Sequence, residues 1–201
     1  MYEARKMVRT SEENRVLFMV SQSRRFEPGV AAFRRVIHDK IGRPEILNAE
    51  FYIGAHFGGF RDEMRSPLLL DMAIHTFDAA RYISGCDPVS VYCDEFNPSW
   101  SWYKGASSAN VIFEMSGGLR FCYFGSWCAE GKHTAWEANW RAVGPNGTIL
   151  WDGINDPIGE VVVGTGGFHS EFREVSGNRE HMDHHAIGGS LRHFLNALET
   201  G

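Results

Sequence analysis

Hydrophobic positions along this 201-residue chain follow two rhythms, one helical and one alternating. Tyr2 to about Asn14 predicts a helix, and the apolar run Val16-Leu17-Phe18-Met19-Val20 behind it predicts a buried strand. A helix feeding a buried strand is how an α/β unit ends, so residues 1–22 are expected to be the edge of a larger domain. Pro28 suits the first position of a second helix, with Val30, Phe33, Val36 and Ile37 at helical spacing and Gly42 as its stop. From Glu45 to about His56 the period becomes two. Leu47, Ala49, Phe51 and Ile53 share one face, and Ile46, Asn48, Glu50 and Tyr52 share the other, as in a half-buried strand. A flexible polar loop, Gly58 to Arg65, precedes a third helix with Ser66 as N-cap and Pro67 at its first position.

Beyond Val89 strand follows strand, near 89–95, 107–115, 119–128, 134–143, 148–152, 158–164 and 169–176. Turn signals at Ser116-Gly117-Gly118, Gly131-Lys132 and Gly144-Pro145-Asn146-Gly147 make the connections short, which favours antiparallel neighbours. A last helix is expected from about Ser190 to Glu199. The sum predicts an α+β fold over residues 23–201: a large, mostly antiparallel open sheet with helices packed on one face.

Composition narrows the function classes. The net charge of -5 gives no basic footprint for nucleic acid or an anionic membrane. No apolar run approaches the roughly 20 residues of a membrane span. The opening MYEARKMVRT lacks the apolar core of a signal peptide, and Cys86, Cys93, Cys122 and Cys128 form no CxxC pair. A cytoplasmic protein with free thiols is the expectation.

The third helix, LLLDMAIHTFDAARYIS, is apolar on almost every side, the pattern of a buried helix. Asp71, His75 and Asp78 interrupt it within one narrow stripe, with Arg81 at its edge. Buried charge needs partners, water or a ligand. The stripe therefore either satisfies itself as an Asp–His–Asp–Arg network or faces a cleft, and the glycine-rich, arginine-bearing loop ending at Arg65 favours the cleft. Asp71 and His75, at i and i+4, are expected to meet directly, which would raise the imidazole pKa. A Zn or Mn site using Asp71, His75 and Asp78, with the His181, His184, His185 and Asp183 cluster nearby, competes with this. It has no HExxH or paired-cysteine support, and no metal is expected.

Trp136, Ala138, Trp140 and Ala142 alternate with polar residues, and Trp127 and Trp151 lie on neighbouring strands. They make either a packed sheet face, a dimer interface or a platform for a sugar ring, which His133 in the preceding turn could also reach. No GxGxxG, P-loop or GxSxG is present. The residues alone offer acid/base equipment and no electron carrier.

The order Val20-Ser21-Gln22-Ser23-Arg24-Arg25-Phe26, Ile41-Gly42-Arg43-Pro44, Leu70-Asp71-Met72-Ala73-Ile74-His75-Thr76-Phe77-Asp78, Gly125-Ser126-Trp127 and Gly147-Thr148-Ile149-Leu150-Trp151-Asp152-Gly153 resembles the Gfo/Idh/MocA family. These are NAD(P)-dependent sugar and polyol dehydrogenases named for glucose-fructose oxidoreductase and inositol dehydrogenase. The resemblance implies that residues 1–22 end a Rossmann domain. The NAD or NADP site and the catalytic lysine are expected upstream, and the fragment alone is expected to be inactive. It implies that residues 23–201 bind substrate and form a homo-oligomer, a dimer or tetramer, through the open sheet. It makes His75 the base for a substrate hydroxyl and Asp71 its companion, with Arg24, Arg25, Arg65, Asp78, Trp127 and His133 as substrate-binding candidates. A non-catalytic sugar-binding or dimerisation domain and a metal-dependent hydrolase or isomerase are the alternatives.

Overall fold

The period-two stretch around Leu47 lies at the centre of the sheet. The computed structural model describes residues 2–200. They form α1 (Tyr2–Asn14), α2 (Pro28–Val36), β1 (Ile46–Tyr52), α3 (Phe60–Glu63) and α4 (Ile74–Ser84). The remaining elements are β2 (Pro88–Phe96), β3 (Ser108–Met115), β4 (Arg120–Ser126), β5 (Asn139–Gly144), β6 (Gly147–Trp151), β7 (Ile158–Gly164), β8 (Glu171–Ser176) and α5 (Ala186–Thr200). The eight strands make one sheet in the order β2-β3-β4-β1-β5-β6-β7-β8. Every pairing is antiparallel except β1 with β4. The predicted α+β architecture is the one observed.

Helices cover one face only. Phe33 of α2 is fully buried against Trp140 and Trp151, at ring-centroid distances of 6.3 and 5.8 Å. Gly29 makes that approach possible, since a Cβ there would stand 2.4 Å from the Trp151 ring. Trp140 and Trp151 are thus core residues. Phe77 of α4 packs edge-on against Phe113 and Tyr123, at 4.9 and 5.2 Å. Burying each such side chain contributes roughly 1.5–3 kcal/mol, which fixes α4 firmly across the sheet.

On the opposite face the strand registers align Tyr92 with Ile112 and Leu150 with both Arg141 and Ile158. Ile46, Tyr92, Ile112, Leu150, Ile158 and Phe172 are exposed there, so the open face is substantially apolar.

Several expectations need correction. Val16–Val20 has no regular secondary structure and joins no strand, and Val16, Leu17, Phe18 and Val20 are exposed. A strand needs a neighbour for its amides, and no described strand lies beside this one. The strand expected from 134 begins at Asn139, because Ala138 adopts φ +69° and closes a turn onto Ala135. The loop before the third helix contains α3. Pro67 opens the third helix as expected, but the Ser66 hydroxyl donates to Glu95 and caps nothing. The first part of that helix, Leu68–Ala73, is a π turn, and Leu70 and Ile74 are exposed where all-round burial was expected. α5 begins four residues early, at Ala186.

Candidate active site

Two segments converge on the Asp71–Asp78 stretch and supply its partners. The first follows the exposed Val16–Val20 run: Gln22 enters a 3-10 turn, Ser23–Phe26, that lies along α4. The His75 imidazole and the Gln22 side chain meet at 3.0 Å, Nδ1 to Oε1. Arg25 grips Asp78 with both prongs of its fork, Nε to Oδ2 at 2.7 Å and Nη2 to Oδ1 at 2.5 Å. Donating these hydrogen bonds to Asp78 accordingly raises the Arg25 pKa. Arg24, between these two, reaches only the Met72 sulfur, at 3.6 Å.

The second segment is the loop before the helix. Gly58 and Gly59 both take positive φ, +69° and +68°, a conformation that side chains with a Cβ resist, and α3 follows at once. The turn brings Arg61 back over the helix, where its Nε donates to Asp71 Oδ2 at 2.7 Å. The guanidinium lies 4.9 Å from the Phe57 ring centre and 4.8 Å from that of Phe60. Phe57 in turn packs on Trp127 and Trp136, giving the site an aromatic wall.

Asp71 and His75 therefore do not bond to each other; each takes a partner from another segment. The expected rise in the His75 pKa is reversed. Burial lowers it below its usual 6.5, the Arg24 charge lowers it further, and Asp71 and Asp78 only partly oppose them. A neutral imidazole that donates its Nδ1 proton to the Gln22 carbonyl keeps a lone pair on Nε2. That is the equipment of a general base working at neutral pH.

Of the other candidates, Trp127 is buried behind Phe57 and stacks on Tyr103 at 6.0 Å. His133 is exposed and accepts the Gly54 amide at 3.2 Å, and Arg65 is exposed with only its carbonyl engaged, by Ala106. Neither shares a hydrogen bond with Asp71 or His75 among the described residues. Arg81 turns away to Asp87. Arg25 and Asp78 neutralise one another beside a cavity of about 460 Å³ lined by Gln22, Phe26, Ser190 and His193. No group of three or more His, Cys, Asp or Glu that could hold a metal ion exists among the described residues.

Three residues escaped the sequence reading. Gln22 lay inside the Val20–Phe26 stretch, but an amide does not titrate and drew no notice. Arg61 was hidden by Arg65, although the adjacent glycine pair marked a chain reversal. Tyr123 carries a fully buried hydroxyl without a partner, which strand periodicity cannot show.

These features define a class: an open-faced α+β sheet domain whose covering helix presents a neutral histidine, flanked by arginine-held aspartates. A family model described as the GFO/IDH/MocA C-terminal domain matches residues 30–150, and the chain belongs to the GFO/IDH/MocA family. It is 29% identical over 139 residues to the uncharacterized protein y4oX of Sinorhizobium fredii (strain NBRC 101917 / NGR234), a match covering 66% of this chain and 39% of that protein. An oxidoreductase from Agrobacterium radiobacter, solved in complex with NAD+, L-tartaric acid and magnesium, superposes with a TM-score of 0.80 at 22% identity. That match covers 100% of this chain and 60% of the other. UDP-N-acetylglucosamine 3-dehydrogenase GnnA from Acidithiobacillus ferrooxidans gives 0.74 at 18% identity, covering 98% of this chain and 58% of that one. At such identities the two structures establish a shared fold. The chain spans less than two thirds of each relative's length.

Proposed function

We propose that this chain is the substrate-binding and proton-transferring part of an NAD(P)-dependent dehydrogenase that oxidises a hydroxyl of a sugar, inositol or related polyol. The observation that carries the reading is His75, held at Nδ1 by Gln22, kept neutral by burial and by Arg24, and free at Nε2. Nε2 takes the hydroxyl proton of the substrate. Asp71, fixed by Arg61, stands close enough to steady the imidazolium that results. Phe57 and Trp136 offer apolar ring faces against which a sugar can lie.

The dinucleotide is assigned to a further domain, of which residues 1–22 form the end. No strand among the described residues runs through a G-x-G-x-x-G turn into a helix, so its pyrophosphate has no cradle here. When bound, the nicotinamide supplies a hydride acceptor. The family kinship and an NAD+-bound neighbour support this division of labour. The exposed apolar residues of the open sheet support a homo-oligomer formed through that face.

The test uses the protein carrying both domains, with NAD+ and NADP+ and a panel of sugars, inositols and sugar acids. His75→Ala is expected to cost about 10²–10⁴-fold in kcat while leaving NADH or NADPH affinity intact. Near-normal turnover in that variant would sink the assignment. Saturable sugar binding with no redox activity in the unaltered protein would turn the reading to a non-catalytic binding domain.

A further inference from the structure

We propose that the unpartnered guanidinium of Arg24 receives a carboxylate, so that the substrate is a sugar acid or other polyol acid; this rests on the dehydrogenase reading above. One guanidinium of the site has no carboxylate bonded to it among the described residues. Asp71 is held by Arg61 and Asp78 by Arg25, and Arg24 is left over. Among the described residues its Nη1 is sealed from solvent with no acceptor, and its Nη2 has only the thioether sulfur of Met72, a weak acceptor. A guanidinium does not shed its charge, and an unpaired buried charge is costly. A neutral polyol has no use for such a group.

The surroundings select the ligand. The Tyr123 hydroxyl, close enough for Arg24 to feel it, is also buried without a partner. A guanidinium fork beside a free hydroxyl offers donors to a planar pair of acceptor oxygens, which is a carboxylate's geometry. Glu27 and Glu137 act on Arg24 through space without bonding to it, and burial first, then the neighbouring Glu137 charge, raise the Glu27 pKa. A second negative charge on the ligand would meet these carboxylates, which disfavours a phosphate dianion. Methionine is unbranched and flexible, so the Met72 sulfur can yield its place to the incoming oxygen. Because Arg24 lies near enough to His75 to depress its pKa, the reacting hydroxyl belongs on a carbon close to the carboxylate.

The protein with both domains is tested on matched pairs, gluconate with glucitol and galacturonate with galactose, with glucose 6-phosphate as the phosphate arm. The acid of each pair is expected to exceed its neutral partner at least about tenfold in kcat/KM. Arg24→Met should reduce that ratio roughly ten- to a hundredfold, mostly through KM, and move the low-pH limb of kcat/KM upward as His75 regains a higher pKa. Arg24→Lys, which keeps the charge and loses the fork, should fall between. It carries the test if circular dichroism shows Arg24→Met unfolded. Neutral polyols turned over as well as acids, or a ratio unmoved by both variants, overturns the inference and leaves the dehydrogenase reading standing. A preference for the phosphate overturns the carboxylate. No turnover on any member with either nucleotide overturns the dehydrogenase reading, and the inference with it.

Discussion

Exchanging Gln22 for Glu would place a carboxylate where the amide oxygen now sits, 3.0 Å from His75 Nδ1, with almost no change in shape. A unit charge about 4 Å from the imidazolium centre is worth about 4 kcal/mol at an effective dielectric of 20. At about 1.4 kcal/mol per pKa unit, that is an upper limit of about 3 units. The imidazole is only half-buried and Arg24 opposes the new charge, so a rise of about 1–2 units is expected. His75 would then titrate higher than in the unaltered chain and hold its proton to a higher pH. The measurement is an NMR titration of the His75 ring protons in this 201-residue chain, assigned by their loss in His75→Asn. Gln22→Met, which removes the acceptor without adding charge, should not raise the value. An unmoved titration in Gln22→Glu would mean that the Gln22–His75 contact does not exist in solution, and the free Nε2 lone pair would lose its structural basis.

Two further expectations follow from the same observations. Because the folded pKa of His75 lies below its ordinary 6.5, the unfolded chain binds more protons as pH falls past 6.5 toward the folded value. Stability should therefore decline across that window, and urea midpoints should decline less in His75→Asn. Ile112→Glu together with Leu150→Glu, both on the open face, should leave folding intact because both side chains are exposed, and should reduce the sedimenting mass to that of one chain. An unchanged mass would count against assembly through this face.

Much of the fold could be read from period alone. Leu47, Ala49 and Phe51 alternate cleanly, and Phe33 and Val36 keep helical spacing, because each element buries a single face. Val16–Val20 misled for a physical reason: an apolar run predicts burial only when something exists to bury it. The site was half legible. Asp71 and His75 stood out as titratable groups on an apolar helix, whereas their partners come from 10 and 53 residues away and obey no local spacing. The reversed sign at His75 has the same origin. The i and i+4 carboxylate was visible in the sequence, but the Arg24 charge and the burial that outweigh it arise only from tertiary packing.

The place of β1 in the sheet has a consequence for how the chain assembles. It is the first strand of this sheet to be made and sits between β4 and β5, which begin at Arg120 and Asn139. β2 to β4 and β5 to β8 are each runs of sequence-adjacent antiparallel strands that can zip up locally, whereas β1 must wait for both groups and close longer loops to reach them. It acts as a keystone joining two wings. During synthesis the strand with Leu47 and Phe51 emerges well before its neighbours, an apolar segment with no edge to join. Domain completion should therefore be slow and late, and a chaperone that shields residues 46–52 would speed it more than one acting on either wing.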